Sequence, residues 1–115
     1  MTITVTSLKL KSLWSFFRLS LHGLKISRQA KSQKGFINLK NTGAGYLHYT
    51  MTCWQTEEDA KLFARSGAHL AAMKEASKIA TEVRIFTFSG EQMPNWKEAK
   101  TLLTEKGKVF TYAKN

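Results

Sequence analysis

Residues Thr2–Leu8 alternate, with Ile3 and Val5 on one side and threonines on the other. β-branched residues at period two predict a strand. The period then lengthens. From Ser12 to about Gln29 there is no proline, and Trp14, Phe17, Leu21, Leu24 and Arg28 recur at helical spacing. This predicts a helix with Ser12 as its N-cap. Leu13, Phe16 and Leu19 form a second apolar stripe, so the helix either buries two faces or lies on a membrane. Gly23 inside it costs about 1 kcal/mol relative to Ala, which suggests a close packing contact there.

Gly35 opens a short strand, Phe36–Lys40. Asn41–Gly45 has the composition of a hairpin loop, with two glycines able to take positive φ. No helix or Lys-Ser/Thr pair follows, so it is not a phosphate-binding loop. The partner strand is Tyr46–Gln55. Its apolar side, Leu47, Tyr49, Met51 and Cys53, is expected to pack on helices. Its mixed side, His48, Thr50, Thr52 and Trp54, is expected to line a cavity or a subunit interface. Thr56-Glu-Glu-Asp59 is a capping box that starts a second helix. That helix runs through Phe63, bends or breaks at Ser66-Gly67, and resumes with His69, Ala72, Met73 and Ala76 on one face. Thr81–Ser89 is the last core strand, with Val83 and Ile85 opposite Arg84, Phe86 and Phe88. A short helix from near Asn95 to Gly107 and an edge strand, Val109–Tyr112, complete the chain.

The order β-α-β-β-α-β plus a tail predicts an α+β, ferredoxin-like sheet with helices on one face. At 115 residues the chain is read as a single domain, 1–115. The opposite sheet face would be uncovered in a monomer, so a homodimer is expected.

Charge changes this picture at the N-terminal half. Residues 1–56 hold eight Lys and Arg and no acid, so of the net +10 the first half carries +8 and the rest +2. Such asymmetry points to an anionic neighbour or to a solvated basic helix face. An organelle transit peptide shares this composition, but residues 2–8 belong to a strand. Nucleic-acid binding through a sheet would need aromatics interleaved with cations, and only Phe36 and Lys40 hint at that. A peripheral membrane contact fits better, because Trp14, Phe16, Phe17, Leu21 and Leu24 are flanked by Lys11, Arg18, Lys25 and Arg28. One cysteine, Cys53, excludes an internal disulfide and multi-cysteine metal sites, and makes the cytoplasm the expected compartment. Cys53 itself is read as a small core hydrophobe. No apolar run approaches a membrane span.

Three stretches carry a resemblance: Leu13-Trp-Ser-Phe-Phe, Gly35-Phe-Ile-Asn-Leu-Lys, and Tyr49-Thr-Met-Thr-Cys-Trp54 running on to Ala60. They resemble the antibiotic-biosynthesis-monooxygenase-like dimeric α/β barrels. The basic, Trp-bearing first helix is similar to the spheroidene-monooxygenase-like branch. Phe63-Ala-Arg-Ser-Gly-Ala-His69 and Trp96-Lys-Glu-Ala99…Gly107 resemble small bacterial relatives of unknown function. The resemblance implies a dimeric barrel and a monooxygenase-like oxidoreductase that binds an aromatic or polyene molecule. Some members of that family work without a cofactor; others degrade or use heme. The tryptophan and ligand histidine of the heme degraders would fall here near Phe63 and Met73, and neither matches. No cofactor and no metal are therefore expected, with heme on His69 as a minor alternative.

The expected pocket lies between the sheet and the second helix. Trp54, Phe63, His69, Met73 and Phe86 would wall it, and His48 and Arg84 would join depending on strand register. Trp54 could stack on a ligand or close a strand end. His69 could shuttle a proton, hold a metal, or stay a hydrogen-bonded structural residue. Arg84 could bind an acidic group or pair with Glu82. No paired carboxylates and no Ser-His-Asp set occur at catalytic spacing. His22 shows no partner in the sequence.

Overall fold

The computed structural model describes residues 1–113. In chain order the elements are β1 (Thr2–Leu10), α1 (Ser15–Ser32), β2 (Phe36–Ala44), β3 (Leu47–Trp54) and α2 (Glu57–Ala64). They continue with α3 (Gly67–Ile79), β4 (Ala80–Ser89), α4 (Trp96–Lys106) and β5 (Lys108–Thr111). The strands form one open sheet in the order β2-β3-β1-β4-β5, with every neighbouring pair antiparallel. This is the expected α+β, ferredoxin-like arrangement with an added edge strand.

Opposed residues of an antiparallel pair share a face. Ile3 and Val5 lie opposite Cys53 and Met51 on one side and Phe88 and Phe86 on the other. This apolar face packs on α4, whose Ala99 and Leu103 complete a buried cluster with Ile3, Val5, Met51 and Cys53. Burial pushes the Cys53 thiol above its ordinary value, in keeping with a small hydrophobe. The other face presents Thr2, Thr4 and Thr6 beside Trp54, Thr52 and Thr50, and beside Ser89, Thr87 and Ile85. Helices α1, α2 and α3 lie on this side.

Several expectations change. The mixed side of β3, rather than its apolar side, faces the α1–α3 layer. The face expected to be uncovered carries α4, because Ile3, Val5, Met51 and Cys53 need an apolar lid. The hairpin loop shrinks to Gly45-Tyr46. Asn41–Ala44 extend β2, with Thr42, Gly43 and Ala44 opposite Tyr49, His48 and Leu47. Cross-strand pairing there outweighs the turn preference of the residues. Ser12 does not cap α1; residues 12–14 form a turn whose carbonyls accept from Ser15, Phe16 and Phe17, and Trp14 occupies the cap position.

The second helix begins as expected, with the Thr56 hydroxyl accepting from the Asp59 amide at 3.1 Å. It breaks at Ser66-Gly67, where Gly67 takes φ +54°, a conformation costly for residues with a Cβ. The Gln29 side chain of α1 satisfies this junction. Its amide donates to the Ser66 carbonyl at 2.9 Å, and its carbonyl accepts from the His69 amide at 2.9 Å.

Leu103 is 2% exposed in the α4 cluster. Leu103→Ala is expected to lower unfolding free energy by roughly 2–5 kcal/mol in urea titration. A loss well below that range would show that α4 is a dispensable tail.

Candidate ligand cleft between the sheet and the helix layer

The helix layer is fastened to the threonine face at its ends. At one end Trp54, Phe63 and Ala30 are buried together, with Ile26, Phe36 and Leu39 packed around them. At the other, Ile79, Ala80 and Val83 are buried with Leu8, Leu19 and Ala76 against them. Between these anchors the sheet surface is threonine. Thr2 and Thr52 are buried, but Thr4, Thr6 and Thr50 remain half-buried and Thr87 is exposed. Thr4 sits mid-strand in the centre of a five-stranded sheet, so its exposure means that the helices do not close over it. Its hydroxyl shares a 2.9 Å hydrogen bond with Thr87, and the Thr50 hydroxyl donates to Asn41 Oδ1 at 3.0 Å.

Gly23 lies between Leu19 and Ile26 on the sheetward stripe of α1. No atom lies within 4 Å of the position its Cβ would take. The close packing contact expected at Gly23 is therefore absent: the glycine is exposed and borders open space. The threonine surface is thus left half-open between the two anchors, while two surface hollows lie elsewhere, on α4 around Lys100, Thr101, Thr104 and Glu105 and on α2 around Glu58, Lys61, Leu62 and Arg65. At the hairpin end Phe16 packs on His48, ring centroids 5.3 Å apart, and His48 Nε2 donates to the Gly45 carbonyl at 2.9 Å.

The seven candidate residues separate. Trp54 and Phe63 meet at 4.8 Å between centroids, and Phe63 and His69 at 4.8 Å. Trp54 is 1% and Phe63 3% exposed, so they form a solid end wall. His48 shares the Trp54 face but stands at the far end of β3. Met73 is 51% exposed on the outside of α3. Phe86 and Arg84 lie on the opposite sheet face, because they pair with Val5 and Ser7. They cannot wall a cleft under α1–α3. Arg84 Nε donates to Glu82 Oε1 at 2.7 Å.

The threonine floor was hidden in the sequence, because alternating Thr signals a strand and not which layer covers it. His22 was likewise unassigned. Its Nε2 donates to Glu75 Oε2 at 2.7 Å, and Arg18 stands 3.6 Å from the same carboxylate. The His22 hydrogen bond, with help from the Arg18 charge, holds the Glu75 carboxyl below its ordinary value. This exchange pins α1 to α3. The signal is one acid in α3 against a cationic α1, visible only once the helices are known to be antiparallel neighbours.

No family model matches the chain, and no curated protein does. Solved structures do. A candidate antibiotic biosynthesis monooxygenase from Nitrosomonas europaea superposes with a TM-score of 0.70 at 10% identity, over 80% of this chain and 100% of that one. A conserved protein from Methanosarcina mazei gives 0.69 at 11% identity, over 79% and 94%. SnoaB of Streptomyces nogalater, a cofactor-independent oxygenase, gives 0.63 at 10% identity, over 82% and 96%. The chain has the fold of the antibiotic biosynthesis monooxygenases. Identities this low speak to fold and leave activity to be argued from the site.

Within this monooxygenase-like fold, the heme alternative meets an obstacle. His69 Nδ1 donates to the Ala64 carbonyl at 3.1 Å, so the Nε2 lone pair could serve a ligand. However, Phe63 packs on both Trp54 and His69 and takes the place between them, leaving no slot for a porphyrin on the sheet side of His69. Among the described residues no group of three His, Cys, Asp or Glu could hold a metal ion.

Burial lowers the His69 pKa from its ordinary 6.5, partly opposed by the Ala64 hydrogen bond. The folded protein thus keeps His69 neutral where the unfolded chain begins to protonate. Below pH 6.5 the unfolded state binds more protons, and stability falls with falling pH. Thermal melting is expected to show a Tm decline from pH 6.5 downward that is smaller in His69→Gln. Parallel Tm profiles for the two proteins would show that His69 is not held neutral. Loss from Glu75 comes separately, only below its ordinary 4.5.

Proposed function

We propose that the chain is a monooxygenase-like protein that binds a hydrophobic, aromatic or polyene small molecule in the cleft under Gly23. One observation carries the reading: threonines at the centre of the sheet stay half-open beside a helix layer that is packed onto the sheet at both ends. A flat ring system suits such a slot. Threonine methyls and the sheetward α1 side chains Leu19 and Ile26 supply apolar surface, while threonine hydroxyls can hydrogen-bond a phenolic or carbonyl oxygen. Trp54 and Phe63 would close one end and Phe16 with His48 the other. Met73, Phe86 and Arg84 take no part.

SnoaB, of similar fold, is a cofactor-independent oxygenase, which supports cofactor-free chemistry here. In that chemistry the substrate is the sole reductant. One atom of dioxygen enters it, the other leaves as water, and the substrate supplies four electrons. The protein's part is to hold a ring oxygen against hydroxyls and to exclude bulk water.

Gly23→Leu tests the cleft without threatening the fold. Leu is the better helix former by somewhat under 1 kcal/mol, so thermal stability should hold or rise while the side chain fills the space. Wild-type protein is expected to bind polycyclic quinols, read by quenching of tryptophan fluorescence, and to consume oxygen with at least one of them. In Gly23→Leu the binding should weaken at least tenfold. Equal binding by both proteins would place the ligand elsewhere, and no binding by wild type would remove the reading.

The proposal includes a homodimer. With α4 on the apolar sheet face, the support shifts to the sheet edge, where Val109 and Phe110 of β5 are 44% and 38% exposed. The open edge of β5 presents unpaired backbone N–H and C=O groups beside these side chains, a template on which a second copy can pair. Sedimentation at micromolar concentration is expected to give a dimer, and Phe110→Glu a monomer. A wild-type monomer would exclude it.

A further inference from the structure

We infer that the outer face of the α1–α3 pair docks on an anionic lipid bilayer, with α1 lying flat in the headgroup region. The inference is independent of the cleft. It begins with an anomaly of burial. Most of the apolar side chains of α1 and its cap do not face the sheet: Trp14 is 80%, Phe17 67%, Leu21 53% and Leu24 51% exposed. These four recur on one side of the helix, opposite the Leu19–Ile26–Ala30 stripe that packs inward. Met73 of α3 is also exposed, but it stands two residues from Glu75, which faces α1, so it points away from α1 and is not part of this patch. A contiguous apolar surface of this kind needs a partner.

Charge identifies the partner. Arg18, Lys25, Arg28 and Lys31 of α1 and Lys74 and Lys78 of α3 are all exposed around the patch. The two helices contain a single acid, Glu75, and it is taken up by His22 and Arg18. The acids of the first turn of α2 lie beyond the C-terminal end of α1, where Asp59 abuts Gly35. The surface is thus apolar and aromatic in the middle and cationic around, the pattern of an interfacial helix on anionic lipid.

Other occupants fit less well. Nucleic acid would neutralise the cations but leave an indole and a phenyl ring in water. A second copy placed face to face would bring Lys25 and Arg28 against their own counterparts. Among the described residues no helix is long and apolar enough to cross a membrane, so the contact lies in the plane of the surface. The 18 residues of α1 give about 27 Å of helix for it.

The test is co-sedimentation of the full chain with vesicles of phosphatidylglycerol and phosphatidylcholine, and with phosphatidylcholine alone, at low and high salt. Binding is expected on the anionic vesicles at low salt, with the Trp14 emission shifting to the blue. Trp54, which is buried, and Trp96, half-buried on the α4 side of the sheet, serve as the unshifted background, checked with Trp14→Phe. Lys25→Glu/Arg28→Glu and Phe17→Ser/Leu21→Ser are each expected to weaken binding about tenfold or more, with unchanged thermal melting because the altered residues are exposed. Equal binding to neutral vesicles, no binding to either, or full binding by the charge-reversed variant would overturn the inference. So would a wild-type dimer that Phe17→Ser/Leu21→Ser converts to monomer, which would give the patch to a second copy. Release of the protein from anionic vesicles by duplex DNA at equal phosphate concentration would give it to nucleic acid.

Discussion

The structure turns on the alternation in β1. The strand must offer Ile3 and Val5 to one layer and Thr2, Thr4 and Thr6 to the other, because successive side chains point to opposite faces. The richest apolar surface goes to α4, a late and short helix. The larger helix layer is left with a threonine surface that burial of methyl groups alone does not close. It therefore attaches where aromatic or aliphatic residues return, at Trp54 and Phe63 on one side and at Val83 and Leu8 on the other. The opening between them follows from that division.

Holding a helix layer over an incompletely covered sheet requires fastening within the layer itself. Two polar contacts supply it. Gln29 bonds the backbone across the α2–α3 break, answering groups that a broken helix leaves without partners. Glu75 gathers His22 and Arg18 at the middle of the α1–α3 contact. Both run between helices rather than from helix to sheet, so α1 and α3 behave as a unit. Gly23 can then stay empty beneath α1 without the helix settling onto the threonines.

The local elements were legible because their signals are local. The Thr56 cap, the break at Gly67 and the alternation of β4 each depend on neighbours within a few residues. Assignments that depend on distant partners were not legible. Which helix covers which side of β3 follows from α4, some fifty residues downstream. Arg84 and Phe86 fall away from the cleft because their register against Ser7 and Val5 is fixed by pairing across the chain. Gly43 looked like a loop residue and became a ladder residue because β3 was there to pair with it. For the proposed cleft, the sequence picked out the buried pair Trp54 and Phe63 by their aromatic bulk. It passed over the threonine floor, whose significance comes from what fails to cover it.

Exposure on α1 completes the same logic. An amphipathic helix normally turns its apolar side toward the core, yet the sheet beneath α1 offers threonine through its middle. Only a narrow stripe, Leu19, Ile26 and Ala30, finds apolar partners there. Turning Trp14, Phe17, Leu21 and Leu24 inward instead would set an indole and a phenyl ring over the threonines and close the cleft. It would also carry His22 away from Glu75 and Gln29 away from the Ser66 carbonyl, leaving those partners unanswered. The rotation of α1 that keeps the helix layer fastened is the same rotation that leaves the threonines half-open beneath it and an apolar, cation-ringed surface above it. The proposed ligand cleft and the proposed docking face are thus two sides of one helix setting.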